Sequence, residues 1–113
     1  MILIYHNPNC KIAGKCLKIL ETNGEIKHHI KHHNLVLTKE KLNKILKLLN
    51  YKPTEIIKKR HFLWKSILNR LSFTDDELVE IIIQYPKLLK NPIIINGNKA
   101  VIGYPPERIL DII

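Results

Sequence analysis

Two cysteines, Cys10 and Cys16, stand six residues apart in the opening run MILIYHNPNCKIAGKCLKIL. Their spacing admits a redox pair, a metal site, or one working thiol beside a structural one. If a helix starts at about Cys10, Cys16 lies roughly 9 Å further along its axis and about 240° around it. A disulfide needs Cα atoms within about 7 Å and facing Cβ vectors, so no internal Cys10–Cys16 bridge is expected. Cys16 shares the stripe Ile12, Cys16, Ile19 and Leu20, the core-facing period of a helix, and reads as a small buried hydrophobe. Cys10 has the opposite setting. It follows Pro8 at a strand-to-helix corner, where the first helical N–H groups, those of about Lys11, Ile12 and Ala13, converge on the positive end of the helix dipole. A thiolate is stabilised there, and His6 and Lys11 are close enough in sequence to add positive charge. The same amides suit an oxyanion. Cys10 is therefore the candidate nucleophile, with His6 and Lys11 supporting its thiolate.

The cluster His28, His29, His32 and His33 offers imidazoles but not a metal site. On a strand, His28 and His32 share one face and His29 and His33 the other, and no cysteine or carboxylate spacing completes a tetrahedral set. A solvated strand end and no bound metal are expected.

The elements that must position these groups follow from periodicity and punctuation. Ile2 to Tyr5 reads as a short buried strand, and Lys11 to about Asn23 as a helix closed by Gly24. The run EIKHHIKHH, with Ile26 and Ile30 on one face, suits a second strand, parallel to the first because a helix crosses between them. Thr38 caps a helix carrying Leu42, Ile45, Leu46 and Leu49, and Pro53 starts a short helix with Ile56 and Ile57. Thr74 and Glu77 form a capping box ahead of Leu78, Ile81 and Ile82, a helix that ends before Pro86. Two apolar runs around Asn96-Gly97 predict a hairpin, after which Gly103 leads to a proline-started helix. Trp64, Tyr5 and Tyr85 lie in apolar patterns and are assigned to the core. The order is βαβ, a helical insert, then ββα, one α/β domain over residues 1–113.

At 113 residues a core forms without staples. There is no long apolar segment and no leader pattern, so a cytoplasmic, reducing compartment is expected, with no membrane partner. The net charge of +9 comes from 16 Lys against 3 Arg, beside 20 Ile and 10 Asn, a mixture typical of an A+T-rich coding sequence. Arginine, the better bidentate reader of phosphate, is scarce. A solvated basic surface is expected, and nucleic acid is not the expected partner.

The runs IYHNPNC, FTDDELVEIIIQYPKLLKNPIII and NGNKAVIGYPPERILDII resemble the glutaredoxin-coupled arsenate reductase family and, more distantly, the Spx-type regulators. The likeness extends over essentially the whole chain. It implies a thioredoxin-like fold with a helical insert, in which Asn91-Pro92 is a cis-proline corner facing the active cysteine. It further implies arsenate or another small oxyanion as substrate, glutathione as co-substrate, glutaredoxin as partner and no bound cofactor. Cys10 matches the family nucleophile and His6 the residue that favours its thiolate. Four positions where the family reductases usually carry arginine read Gly14, Lys58, Asn91 and Tyr104, which removes two or three bidentate oxyanion contacts. Lys58 keeps the charge. Arg60, in the run Ile56, Ile57, Arg60 and Trp64 that resembles the Spx-like relatives, is a further candidate contact. Two other readings follow from the same resemblance: a family member retaining only general glutathione-dependent thiol chemistry, and an Spx-like regulator binding RNA polymerase. Against the regulator, Ala13 stands where such relatives place a second cysteine.

Overall fold

A computed structural model describes residues 2–6, 11–24, 30–34, 38–66, 69 and 71–113. They fall into two compact units, residues 1–35 with 91–113, and residues 36–90.

The first unit is built on β1 (Ile2–His6), whose Ile2 and Ile4 are buried. A 12-residue helix α1 (Lys11–Thr22) follows. It ends as glycine punctuation predicts, with Gly24 at φ +87°. Strand β2 (Ile30–Asn34) runs parallel to β1, pairing Ile2 with Ile30 and His6 with Asn34. Strands β3 (Ile93–Asn96) and β4 (Lys99–Ile102) complete a sheet of order β2-β1-β3-β4, with β3 antiparallel to both β1 and β4. The described part of the second strand thus starts at Ile30. Ile26, His28 and His29 lie outside the described residues, while His32 and His33 are consecutive residues of β2.

Two local expectations are corrected. The hairpin turn is Gly97-Asn98 rather than Asn96-Gly97, because Asn96 still pairs with Lys99. Gly97, at φ +63°, occupies the first turn position, where a type II′ turn requires glycine. Asn96 is left free to donate through Nδ2 to the Ile112 carbonyl at 2.6 Å. The closing helix is 3₁₀ over its full length, Pro106–Ile112. Three residues per turn place Ile109 and Ile112 on one face, and both are buried. They join Ile2, Ile4, Ala13, Cys16, Leu20 and Ile94 in one apolar cluster between α1 and the sheet.

The second unit begins with α2 (Lys39–Leu49), where Thr38 Oγ1 accepts from the Lys41 N–H at 3.2 Å and Asn50 closes the helix in the left-handed region. Its Leu42, Ile45, Leu46 and Leu49 are buried, as their spacing predicts. A 3₁₀ helix spans Pro53–Ile56, followed by α3 (Phe62–Ser66) and α4 (Asp75–Gln84). The capping box of α4 is reciprocal: Thr74 N–H donates to Glu77 Oε1 at 2.9 Å, and Glu77 N–H to Thr74 Oγ1 at 3.2 Å. Helix α4 buries Leu78, Val79 and Ile82, and the 3₁₀ turn Pro86–Leu88 comes next. Trp64 and Tyr5 are half-buried, but Tyr85 is exposed. It is the residue at which α4 stops, so the apolar stripe ends before reaching it.

Candidate functional site

The candidate site is assembled at one end of the sheet of the first unit. β1 ends at His6 and α1 begins at Lys11, so four residues, 7–10, lead from the strand into the helix. The opening turn of an α-helix directs N–H groups without intrahelical acceptors toward its N-terminus, together with the positive end of the dipole. Here those groups belong to Lys11, Ile12 and Ala13. Lys11 is exposed, Ile12 half-buried and Ala13 buried. Cys10, which precedes Lys11 in the chain, lies outside the described residues.

Pro92 approaches the same end from the other side. The antiparallel register pairs Tyr5 with Ile93, so one further step sets the half-buried His6 opposite Pro92. The Asn91-Pro92 peptide is cis, Pro92 is buried, and Asn91 is half-buried.

What holds Pro92 in place is a residue that sequence reasoning did not assign to the site. Gly103 N–H donates to the Pro92 carbonyl at 2.8 Å, and the Gly103 carbonyl accepts from Cys16 Sγ at 3.7 Å. A Cβ at position 103 would meet Ile94 Cδ1 at 2.6 Å, Cys16 Sγ at 2.8 Å and Pro92 Cγ at 3.1 Å. Gly103 is therefore required for close approach rather than for an unusual φ. Its only trace in the sequence is its place between an apolar strand and two prolines. Cys16 is fully buried and packs beneath this corner, the core position its helical stripe predicts. Tyr104, next along the chain, is 67% exposed.

Lys58 and Arg60 belong to the other unit. Lys58 is half-buried and its backbone N–H donates to the Leu88 carbonyl at 2.6 Å. Arg60 is exposed. Among the described residues, no group of three His, Cys, Asp or Glu side chains gathers in a way that would hold a metal, and no helix is long and apolar enough to cross a membrane.

The end of β1 and the cis-proline are thus neighbours in the sheet register, and α1 begins five positions after His6. Such a corner favours an anion on the chain just ahead of the helix. Comparison with known proteins yields consistent relatives. A model of the ArsC family matches residues 5–112. The arsenate reductase of Haemophilus influenzae is 36% identical over 118 residues, covering 99% of this chain and 98% of that one. The regulatory protein MgsR of Bacillus subtilis is 32% identical over 111 residues, covering 96% and 87%. The solved arsenate reductase of Vibrio cholerae superposes with a TM-score of 0.87 at 26% identity, covering 99% and 97%.

Proposed function

Because the chain belongs to the ArsC family and has its thioredoxin-like fold, we propose that it is a cytoplasmic thiol oxidoreductase working through Cys10 alone. Cys10 thiolate attacks the arsenic of arsenate and displaces hydroxide, forming a thiol–arsenic(V) adduct. Glutathione thiolate then attacks the Cys10 sulfur, the electron pair of the S–As bond passes to arsenic, and arsenite leaves a Cys10–glutathione disulfide. Glutaredoxin takes the glutathione onto its own thiol and regenerates Cys10. The N–H groups of Lys11, Ile12 and Ala13 cradle the oxyanion, His6 and Lys11 favour the thiolate, and Lys58 and Arg60 supply the remaining positive charge. The whole chain, both units included, serves as one functional domain.

The observation that supports this reading most is the register that sets the end of β1 beside cis-Pro92, with the α1 N-terminus starting at Lys11, next in the chain to Cys10. Cys16 cannot serve as a second accessible thiol, since it is fully buried under Gly103. Neutral Asn91 and Tyr104 favour a second reading, in which the protein reduces glutathione mixed disulfides and handles arsenate poorly. A charged hydrogen bond is worth about 1.5–3 kcal/mol, so two missing contacts lower arsenate turnover by about two or more powers of ten.

The test measures arsenate reduction with glutathione and glutaredoxin, beside reduction of a glutathione mixed disulfide. Cys10→Ser should abolish both, Cys16→Ser should cost stability more than rate, and Asn91→Arg with Tyr104→Arg should raise kcat/KM for arsenate. Full activity in Cys10→Ser would refute the proposal. Brisk arsenate turnover by the wild type, with no gain from the arginines, would refute the role given to those positions. Loss of arsenate activity alone, with Cys10-dependent disulfide reduction retained, selects the second reading.

A further inference from the structure

From Ile56 to Thr74 the chain carries no aspartate or glutamate, against Lys58, Lys59, Arg60, Lys65 and Arg70. Most of the acidic residues of the second unit sit instead on α4 and its first turn, and Glu55 Oε2 accepts the Lys52 N–H at 2.7 Å. Lys59, Arg60 and Lys65 are exposed. Between them Phe62 presents 67% of its surface to solvent.

The exposed ring is held rather than loose. It stacks on His61 with centroids 4.8 Å apart and planes 27° from parallel. The imidazole is fixed in turn, its Nδ1 accepting the Leu63 N–H at 3.2 Å. Backbone bonds from His61 to Lys58 at 3.0 Å and from Lys65 to His61 at 3.1 Å shape the strip. Its base is anchored where Lys58 N–H donates to Leu88 O at 2.6 Å and Lys90 N–H to Ile56 O at 2.8 Å, on either side of the Ile57–Leu89 bridge. A large apolar side chain kept ordered in water gives the isolated unit little stability. The same ordering lowers the entropic cost of burying that side chain against a partner.

We propose that residues 58–65 form a docking strip for an acidic protein segment, Phe62 entering an apolar groove of the partner while Lys59 and Lys65 pair with carboxylates around it. An apolar centre inside a charged rim is the anatomy of a protein interface, and the absence of acidic residues over the strip sets the sign of its partner. Single-stranded nucleic acid is the competing polyanion. It asks for several stacking rings along a groove and is served best by arginine, whereas the strip offers one exposed ring and more lysine than arginine. Lys58 and Arg60, assigned above to the oxyanion, lie within the strip, so the docking role rests on Lys59, Phe62 and Lys65, which have no part in the chemistry proposed for Cys10.

The experiment uses the full chain and fluorescence anisotropy with three probes: an amphipathic helical peptide with glutamates on one face and leucine and tryptophan on the other, an oligoglutamate of equal charge, and an oligothymidylate. The amphipathic peptide should bind saturably, and Phe62→Ala should weaken it about tenfold or more. Lys59→Glu with Lys65→Glu should weaken it further and flatten its salt dependence, and oligoglutamate should bind at least about tenfold less tightly than the amphipathic peptide. The exposed positions make both variants foldable, which circular dichroism checks. Absence of saturable peptide binding overturns the proposal, as does peptide affinity indifferent to Phe62→Ala. Oligothymidylate bound more tightly than the peptide, and through Phe62, also overturns it and marks the strip as a nucleic-acid platform.

Discussion

Replacing Gly103 by alanine inserts a methyl group 2.6 Å from Ile94 Cδ1, 2.8 Å from Cys16 Sγ and 3.1 Å from Pro92 Cγ. The first two neighbours belong to fully buried side chains, so neither swings into solvent to make room. Overpacking of this kind costs about 1–3 kcal/mol. Gly103 has an ordinary φ, so alanine also restricts the unfolded chain, which returns about 0.4–1 kcal/mol. The net expectation is a loss of about 1–2 kcal/mol, near 4–8 °C or somewhat more in Tm for a chain of this size. Ile94→Val removes the nearest obstructing atom and by itself costs about 0.5–1.5 kcal/mol. In that background Gly103→Ala should be cheaper, with a coupling of about 1 kcal/mol in the double-mutant cycle. Urea denaturation of the four proteins measures every corner of the cycle. A neutral or stabilising Gly103→Ala, or strict additivity with Ile94→Val, would refute the close-packing account of the proline corner.

Iodoacetamide labelling at neutral pH followed by peptide mapping should modify Cys10 much faster than Cys16, which is fully buried; equal rates, or preference for Cys16, would remove Cys10 from its proposed role. Thr74→Ala should destabilise the protein by about 1 kcal/mol through loss of the α4 cap, while Thr74→Ser should be close to neutral in thermal melts. Hydrogen bonds from the Thr74 backbone and side chain hold the Glu77 carboxyl below its ordinary value. A depressed folded pKa means that this contribution is present above the unfolded carboxylate range and is lost as the pH falls through the folded value. Glu77→Gln should therefore flatten the acid limb of the stability profile, and an unchanged limb in that variant would contradict the sign.

Elements governed by neighbouring residues were legible in the sequence. Thr38 and Thr74 announce their helices because a cap is a contact across three residues, and the stripe through Cys16 and Leu20 follows from a single helical period. What sequence could not supply depends on distant partners. Asn96 extends β3 instead of turning because it pairs with Lys99 and reaches Ile112, which moves the turn onto Gly97. The 3₁₀ form of the last helix answers to the cluster that receives Ile109 and Ile112. Gly103 matters through Pro92, Ile94 and Cys16, none of them adjacent in sequence. The strand end and helix start of the corner were readable because they are close in the chain, and the cis-proline was expected through family resemblance alone; the chemistry assigned to Cys10 is the proposal made above.

The sheet order β2-β1-β3-β4 has a consequence for the order in which the protein can be made. β1 has one neighbour nearby in the chain, β2, while its other neighbour, β3, begins at Ile93. Ribosomes extend chains at about 5–20 residues per second, so the first strand waits for several seconds with one edge unpaired. Residues 36–90 emerge as one uninterrupted stretch within that interval, and their helices draw all their described caps from that stretch. The unit that lies between β2 and β3 in the chain can therefore be complete before the sheet is, and the exposed edge of β1 is the stretch of nascent chain that most needs protection from mispairing.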